Sequence, residues 1–246
     1  MTNEFFFSWC PYAAIALLAV GFGVRYMQLR RQPGFGTFTS AIWSDLRSRR
    51  PLHYGLSLLV IGHLSELLFP RQVMAWNDSP LRLYLLEGIL FLSGVSVLIS
   101  LLSIIGVYLE DSIGSLVTQG ADAVFLALLF VGVLSGLFTA AAFRWASFWA
   151  VVTLTPYVLS VTHAAPNIAY VTEMPFQVRL HVFCALGCLA VFPLTSVAAV
   201  FIAAFHRSGA VVFRPIAGIV QKSVNRIENR LRTRNPTLWL WPEEED

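Results

Sequence analysis

Five long apolar stretches occupy most of the sequence. They cover residues 5–24, 52–69, 83–109, 121–143 and 180–205. A helix needs about 20 mostly apolar residues to cross about 30 Å of hydrocarbon, and each stretch meets or approaches that length. Only 13% of the residues are charged and the mean hydropathy is +0.68, whereas soluble domains carry about 25% charged residues. We therefore predict an all-α integral membrane protein built as a five-transmembrane-helix bundle.

A sixth apolar stretch, residues 145–161, follows the fourth with no room for a turn and contains Pro156. Because this segment cannot easily cross back, we expect a short interfacial or re-entrant helix. Its two tryptophans, Trp145 and Trp149, suit the depth of the lipid headgroups.

The cations predict an orientation. Most of the 17 Lys and Arg residues lie within residues 25–50 or in the tail after residue 206. The positive-inside rule then places the N-terminus outside and the tail in the cytoplasm. We expect a membrane domain over residues 1–206 and an amphipathic tail over 207–246 that contacts lipid or docks a partner. The net charge of +3 is too small to favour nucleic acid, so no nucleic-acid partner is expected.

Histidines in the apolar stretches are the candidate functional residues, because ionisable groups in hydrocarbon are costly and usually functional. His53 and His63 both lie in the second stretch, about 15 Å apart along a helix, which is too far to share one metal ion. The fifth stretch begins with His181 on the same side of the membrane as His63. Two neutral imidazoles on facing helices are what bis-histidine ligation of haem requires.

Gly62 precedes His63 and has two interpretations. It removes bulk where a flat macrocycle would approach the backbone, or it lets two helices pack closely.

Several short motifs resemble the membrane cytochrome b (gamma) subunit of respiratory nitrate reductase. They are Cys10-Pro11-Tyr12, Arg25-Tyr26, Leu52-His53-Tyr54-Gly55, Gly62-His63, Thr118-Gln119-Gly120-Ala121-Asp122, Phe176-Gln177-Val178-Arg179-Leu180-His181 and Phe192-Pro193. The resemblance implies five membrane helices with an outer N-terminus. It also implies b-type haem held by histidines of the second and fifth helices, in a multi-pass protein of a bacterial or archaeal plasma (inner) membrane.

The same resemblance implies an electron-transfer subunit of the quinol dehydrogenase type. Quinol would be oxidised near the outer haem, and electrons would pass to an iron-sulfur subunit and then to a molybdenum-containing catalytic subunit. His63 and His181 match the outer haem ligands, and His53 matches one inner ligand. We further expect Arg179, close to His181 in the sequence, to pair with a haem propionate.

One position departs from the family pattern, because Ala199 stands where the fourth haem-ligand histidine is expected. An alanine cannot coordinate iron, so the chain binds either one haem b, or two with His53 as a lone or differently paired ligand. The alternative is a haem-depleted structural membrane anchor for a redox complex.

Two carboxylates complete the candidates. Glu66 lies one helical turn beyond His63, and we expect it either to end the helix in contact with water or to accept a proton from quinol. Asp122 opens the fourth stretch, where the helix dipole favours a carboxylate. A transporter is disfavoured because inverted repeats and runs of intramembrane charge are missing from the sequence.

Overall fold

A computed structural model describes residues 2–30, 49–110, 120–143 and 146–202 of the chain. These residues are almost entirely helical and contain no strand, which confirms the all-α fold. The chain divides into two units, Met1–Val200 and Phe201–Asp246, and the bundle belongs to the first. The predicted tail over 207–246 lies outside the described residues, as does Trp145, and the boundary at residue 206 stays a prediction.

The α-helices are numbered in chain order. They are α1 (Thr2–Arg30), α2 (Arg50–Leu68), α3 (Pro70–Asn77), α4 (Pro80–Glu110), α5 (Gly120–Ala142), α6 (Ala146–Trp149), α7 (Thr155–Thr162), α8 (Ala169–Thr172) and α9 (Phe176–Val191). A π-helix, Ala150–Leu154, joins α6 to α7, and a 3-10 turn, Phe192–Leu194, follows α9.

Four described segments are each long and apolar enough to cross a membrane: Phe5–Gln28, Pro80–Gly106, Gly120–Ala142 and Phe176–Leu194. A fifth span results if α2 and α3, which are bent by 105° at their junction, count as one. The outer surface of the bundle is apolar, since Leu92 is 69% exposed and Val20 is 65% exposed. Contiguous exposed apolar surface of this kind suits lipid rather than water. The chain is therefore a multi-pass membrane protein.

The long helices pack as neighbours around a ring. Helix α1 packs on α9, α9 on α5, α5 on α4, and α4 on α2. Helix α7 contacts both α1 and α2 and so closes the ring at one end. This arrangement leaves α2 and α9 facing each other across the interior of the bundle.

The sixth apolar stretch does not cross the bundle. Its apolar part, Ala150–Thr162, is too short to span a membrane, and it is tied to the beginning of α1 and the end of α2. The Tyr157 hydroxyl donates to the carbonyl of Phe7 at 2.7 Å, and the Thr155 hydroxyl donates to the carbonyl of Glu66 at 3.1 Å. The segment thus covers one end of the bundle, in agreement with the predicted short helix.

The fifth apolar stretch is interrupted rather than continuous. Helix α9 ends at Val191, and helical backbone resumes at Ser196. Pro193 explains the break, because proline has no N–H and its ring clashes with the preceding turn. Asp122 lies at this break. Its carboxylate accepts hydrogen bonds from the backbone N–H of Ser196 at 2.6 Å and from the Ser196 hydroxyl at 2.9 Å, so Asp122 closes the interruption from the first turn of α5.

Candidate functional site

His63 on α2 and His181 on α9 lie side by side. Their ring centroids are 5.9 Å apart, with 31° between the ring planes. An imidazole nitrogen binds a first-row metal ion at about 2.0–2.1 Å, so two imidazoles on opposite sides of one metal have centroids about 6 Å apart. The observed separation matches that value. The two imidazoles are therefore close enough together that both would bind one metal ion.

The hydrogen bonds of the two rings select their tautomers. The Nδ1 of His63 lies 2.7 Å from the carbonyl oxygen of Leu59, and the Nδ1 of His181 lies 2.7 Å from the carbonyl oxygen of Gly132. A carbonyl oxygen only accepts, so each Nδ1 must carry the proton and donate it. In a neutral imidazole Nε2 then keeps its lone pair, as metal binding requires. Both rings are thus prepared as ligands.

A cavity of about 440 Å³ adjoins the two histidines. This volume falls within the range of about 300–1,000 Å³ that is usual for cofactor and ligand sites. Three glycines, Gly88, Gly94 and Gly136, contribute no side-chain bulk to its wall. The polar and ionisable residues of the wall are His63, Glu66, Tyr84, Glu87, Thr139, Ser147 and His181, and the remaining lining is apolar.

A metal at this pair needs further ligands. Within the described ranges, no group of three or more His, Cys, Asp or Glu is arranged to hold an ion. Two imidazoles are, however, a complete protein contribution where a porphyrin supplies the equatorial nitrogens. The donor set therefore fits haem iron better than a metal ion bound by protein alone.

Two glycines of α5 position His181, and neither was predicted from the sequence. Gly132 provides the carbonyl that accepts from Nδ1, and a Cβ at Gly136 would lie 2.8 Å from Cε1 of the His181 ring. Only glycine lets the imidazole rest this closely on the backbone of α5. The signal was available in the sequence, because Gly132 and Gly136 form a Gly-x-x-x-Gly pattern, which marks close packing in membrane helices.

We predict that Gly136→Ala displaces the His181 ring and lowers haem retention. The added methyl group overpacks the contact, at a cost of about 1–3 kcal/mol. Haem per polypeptide after purification measures the effect. Gly23→Ala is the matched control, because a Cβ at Gly23 meets no atom within 4 Å. Equal haem contents in the two variants would show that His181 does not depend on Gly136.

Gly62 faces a different neighbour. A Cβ at this position would lie 2.4 Å from a side-chain carbon of Leu90 on α4. Gly62 therefore lets α2 and α4 approach closely, which is the packing interpretation. Its role in approaching a macrocycle stays a prediction.

His53 lies apart from the pair. Its ring is half-buried and contacts the ring of Tyr54, with centroids 5.4 Å apart. Ala199 is fully buried. The residues next to these two positions, Leu52 and Val200, belong to a closely packed apolar cluster that also contains Val97, Leu101, Ile104 and Val133. At this level of the bundle, apolar side chains fill the interior.

Arg179 lies in the first turn of α9. Its Nε is buried and has no hydrogen-bond partner among the described residues. The lining of the cavity includes Val178 and His181 but not Arg179. A buried guanidinium donor of this kind calls for an acceptor, and pairing with a propionate stays a prediction.

The expectation that Glu66 reaches water is wrong, since only 8% of this residue is exposed. The 105° bend into α3 and the covering segment that begins at Thr155 enclose the end of α2. Sequence reasoning missed Glu87, which lines the same cavity. A carboxylate within an apolar stretch was the signal that could have identified it.

The fold and this site together define a class of protein: a multi-pass helical membrane protein whose interior cavity presents two metal-competent imidazoles. The chain belongs to the nitrate reductase gamma subunit family, whose model matches residues 3–214. The family predicted from the sequence is therefore confirmed. A comparison with curated proteins gave no match. Family membership indicates a membrane subunit of a respiratory complex, associated with other subunits of that complex.

Proposed function

We propose that the chain is a b-type cytochrome subunit that transfers electrons between the quinol pool and an iron-sulfur partner subunit. One observation carries the proposal. The rings of His63 and His181 have centroids 5.9 Å apart, close enough that both would bind one haem iron, and a backbone carbonyl holds each ring in the tautomer that leaves Nε2 free.

Different residues of the chain would have different roles in binding haem. His63 and His181 would bind the iron, and their Nδ1–H bonds would fix ring orientation and increase ligand basicity. The apolar lining would exclude water, and Arg179 would donate to a propionate. When bound, haem b supplies one-electron chemistry, with a potential set by its axial ligands and surroundings.

The packing favours one haem rather than two. Ala199 offers no ligand, and the residues next to Ala199 and His53, Val200 and Leu52, belong to a packed apolar cluster. His53 is accordingly proposed as a residue outside the haem site.

The wider assignment follows from family membership. We place the chain in the plasma (inner) membrane of a bacterium or archaeon, with the N-terminus outside. The partners proposed are an iron-sulfur subunit and a molybdenum-containing catalytic subunit.

The filled level near His53 also favours a second candidate function, a haem-depleted anchor that holds a redox complex at the bilayer. Haem quantification separates the two. The full chain, purified with its associated subunits, should contain one haem b per polypeptide by pyridine haemochrome, and a quinol should reduce it. A preparation without haem would support the anchor function instead. Two haems per chain would contradict the single-haem assignment.

A further inference from the structure

Two carboxyl groups share the cavity with the histidine pair. Glu66 from α2 is buried and lines the cavity. The Thr155 hydroxyl donates to its backbone carbonyl, not to its carboxyl group. Glu87 from α4 lines the same cavity and lies close enough to interact electrostatically with Glu66. Two carboxyl groups on the wall of a mostly apolar cavity are positioned to contact a bound ligand.

A line of polar groups leads from Glu87 away from the cavity. The backbone N–H and the hydroxyl of Ser147 both donate to one carboxylate oxygen of Glu87, at 3.3 and 3.2 Å. The side-chain amide of Asn77 donates to the Ser147 hydroxyl at 3.4 Å. Asn77 is 6% exposed, and its Oδ1 is buried without a hydrogen-bond partner in the described part of the chain. The next residue, Asp78, is exposed.

This line has the composition of a proton path. A serine hydroxyl accepts one hydrogen bond while donating another, so Ser147 can receive a proton and pass one on. The buried Oδ1 of Asn77 is an acceptor that a water molecule satisfies. Ionisable groups placed in apolar segments commonly form proton relays. Ser147 and a water molecule at Oδ1 of Asn77 would therefore extend the line of polar groups beyond the cavity wall.

The titratable groups that line the cavity are His63, Glu66, Tyr84, Glu87 and His181. The two imidazoles already carry a proton on Nδ1, and their Nε2 atoms are assigned to iron. A carboxylate is a standard general base. Among the groups that line the cavity, the two glutamates are therefore the candidates for that role.

We propose that Glu66 and Glu87 are the proton acceptors for a quinol bound in this cavity, and that the Ser147 hydroxyl, with a water molecule bound to Oδ1 of Asn77, relays protons away from Glu87. This inference rests on the proposed function. Oxidation of a quinol breaks two O–H bonds and yields a quinone, two protons and two electrons. The two protons would pass to the carboxylates, and His63 and His181 would hold the haem that takes up the electrons one at a time.

The test measures how fast a quinol reduces the haem. The full chain, with its associated subunits, is mixed with menadiol in a stopped-flow spectrometer, and haem absorbance is followed across a range of pH. Glu66→Gln and Glu87→Gln should each slow reduction, by about 100-fold for Glu66→Gln, because a general base contributes at least that factor. The remaining rate should rise steeply with pH, as hydroxide replaces the lost base. Ser147→Ala should slow repeated turnover, because it removes the hydroxyl that relays protons from Glu87.

Two controls separate chemistry from damage. Dithionite delivers electrons without requiring a protein base, so it should reduce wild type and variants at equal rates. Glu173→Gln removes an exposed glutamate outside the cavity and should leave quinol kinetics unchanged. If menadiol reduces the wild type and both cavity variants equally fast, with one common pH profile, the proton-acceptor role is overturned and the proposed function stands. If dithionite reduces the wild type but menadiol does not, or no haem is present, the proposed function fails first and this inference fails with it.

Discussion

Replacing His181 or His63 with alanine is expected to remove haem b from the purified chain almost completely. Each substitution deletes one of the two proposed haem ligands and leaves the other imidazole alone beside a cavity of about 440 Å³. Removing a residue that only hydrogen-bonds to a metal-binding histidine lowers metal affinity by about 10–100-fold. Removing the histidine itself should lower it further. We expect haem content below about a tenth of wild type, measured by pyridine haemochrome.

His163→Ala is the matched control for these variants. The Nδ1 of His163 lies 2.7 Å from the carbonyl of Leu159, four residues earlier, just as His63 bonds to Leu59, yet His163 is exposed at the end of α7. Haem content should be unchanged in His163→Ala and in His53→Ala.

A methionine variant guards against a folding artefact. His181→Met keeps a ligand that haem proteins use, so it should retain haem and raise the reduction potential. Wild-type haem content in both His63→Ala and His181→Ala would contradict the assignment of this pair as ligands.

Asp122→Ala is expected to lower the free energy of unfolding by about 2–5 kcal/mol, because it removes the acceptor of two buried donors of Ser196. Both residues are buried, and Asp122 is only 2% exposed. The lost hydrogen bonds lie at the point where Pro193 interrupts the helix. Thermal unfolding in detergent, followed by tryptophan fluorescence, measures the change.

Asp122→Asn should fall between wild type and alanine, since it retains one acceptor oxygen. Asp78→Ala removes an exposed aspartate and should change stability by less than about 0.5 kcal/mol. A similarly small change in Asp122→Ala would mean that the break does not depend on this carboxylate.

The sequence predicted the helices well because the requirement for apolar length acts along the chain. The predicted stretch 121–143 corresponds to α5 (Gly120–Ala142), and 83–109 corresponds to α4 (Pro80–Glu110). The stretch 180–205 was less accurate, since its helix begins at Phe176 and is interrupted at Phe192. Pro193 was visible in the sequence, but the compensating bond from Asp122 depends on tertiary contact.

The juxtaposition of His63 and His181 could be predicted because antiparallel helices place residues at equal depth near each other. The support for His181 could not be derived in this way, since it depends on which face of α5 meets α9. The same limit explains Glu66. Its distance from His63 was clear from the sequence, but its burial results from the bend after α2 and from a segment about 90 residues later in the chain, which includes Thr155.

The atoms that orient the two imidazoles belong to the main chain. Substituting Leu59 or Gly132 changes a side chain and leaves the accepting carbonyl in place. Point mutations at these positions therefore cannot delete the partner of Nδ1, as they would if a carboxylate served there. Substitutions around the rings can change the polarity and shape of this site. The orientation of the rings is set by the helix backbone and is kept as long as the helices form.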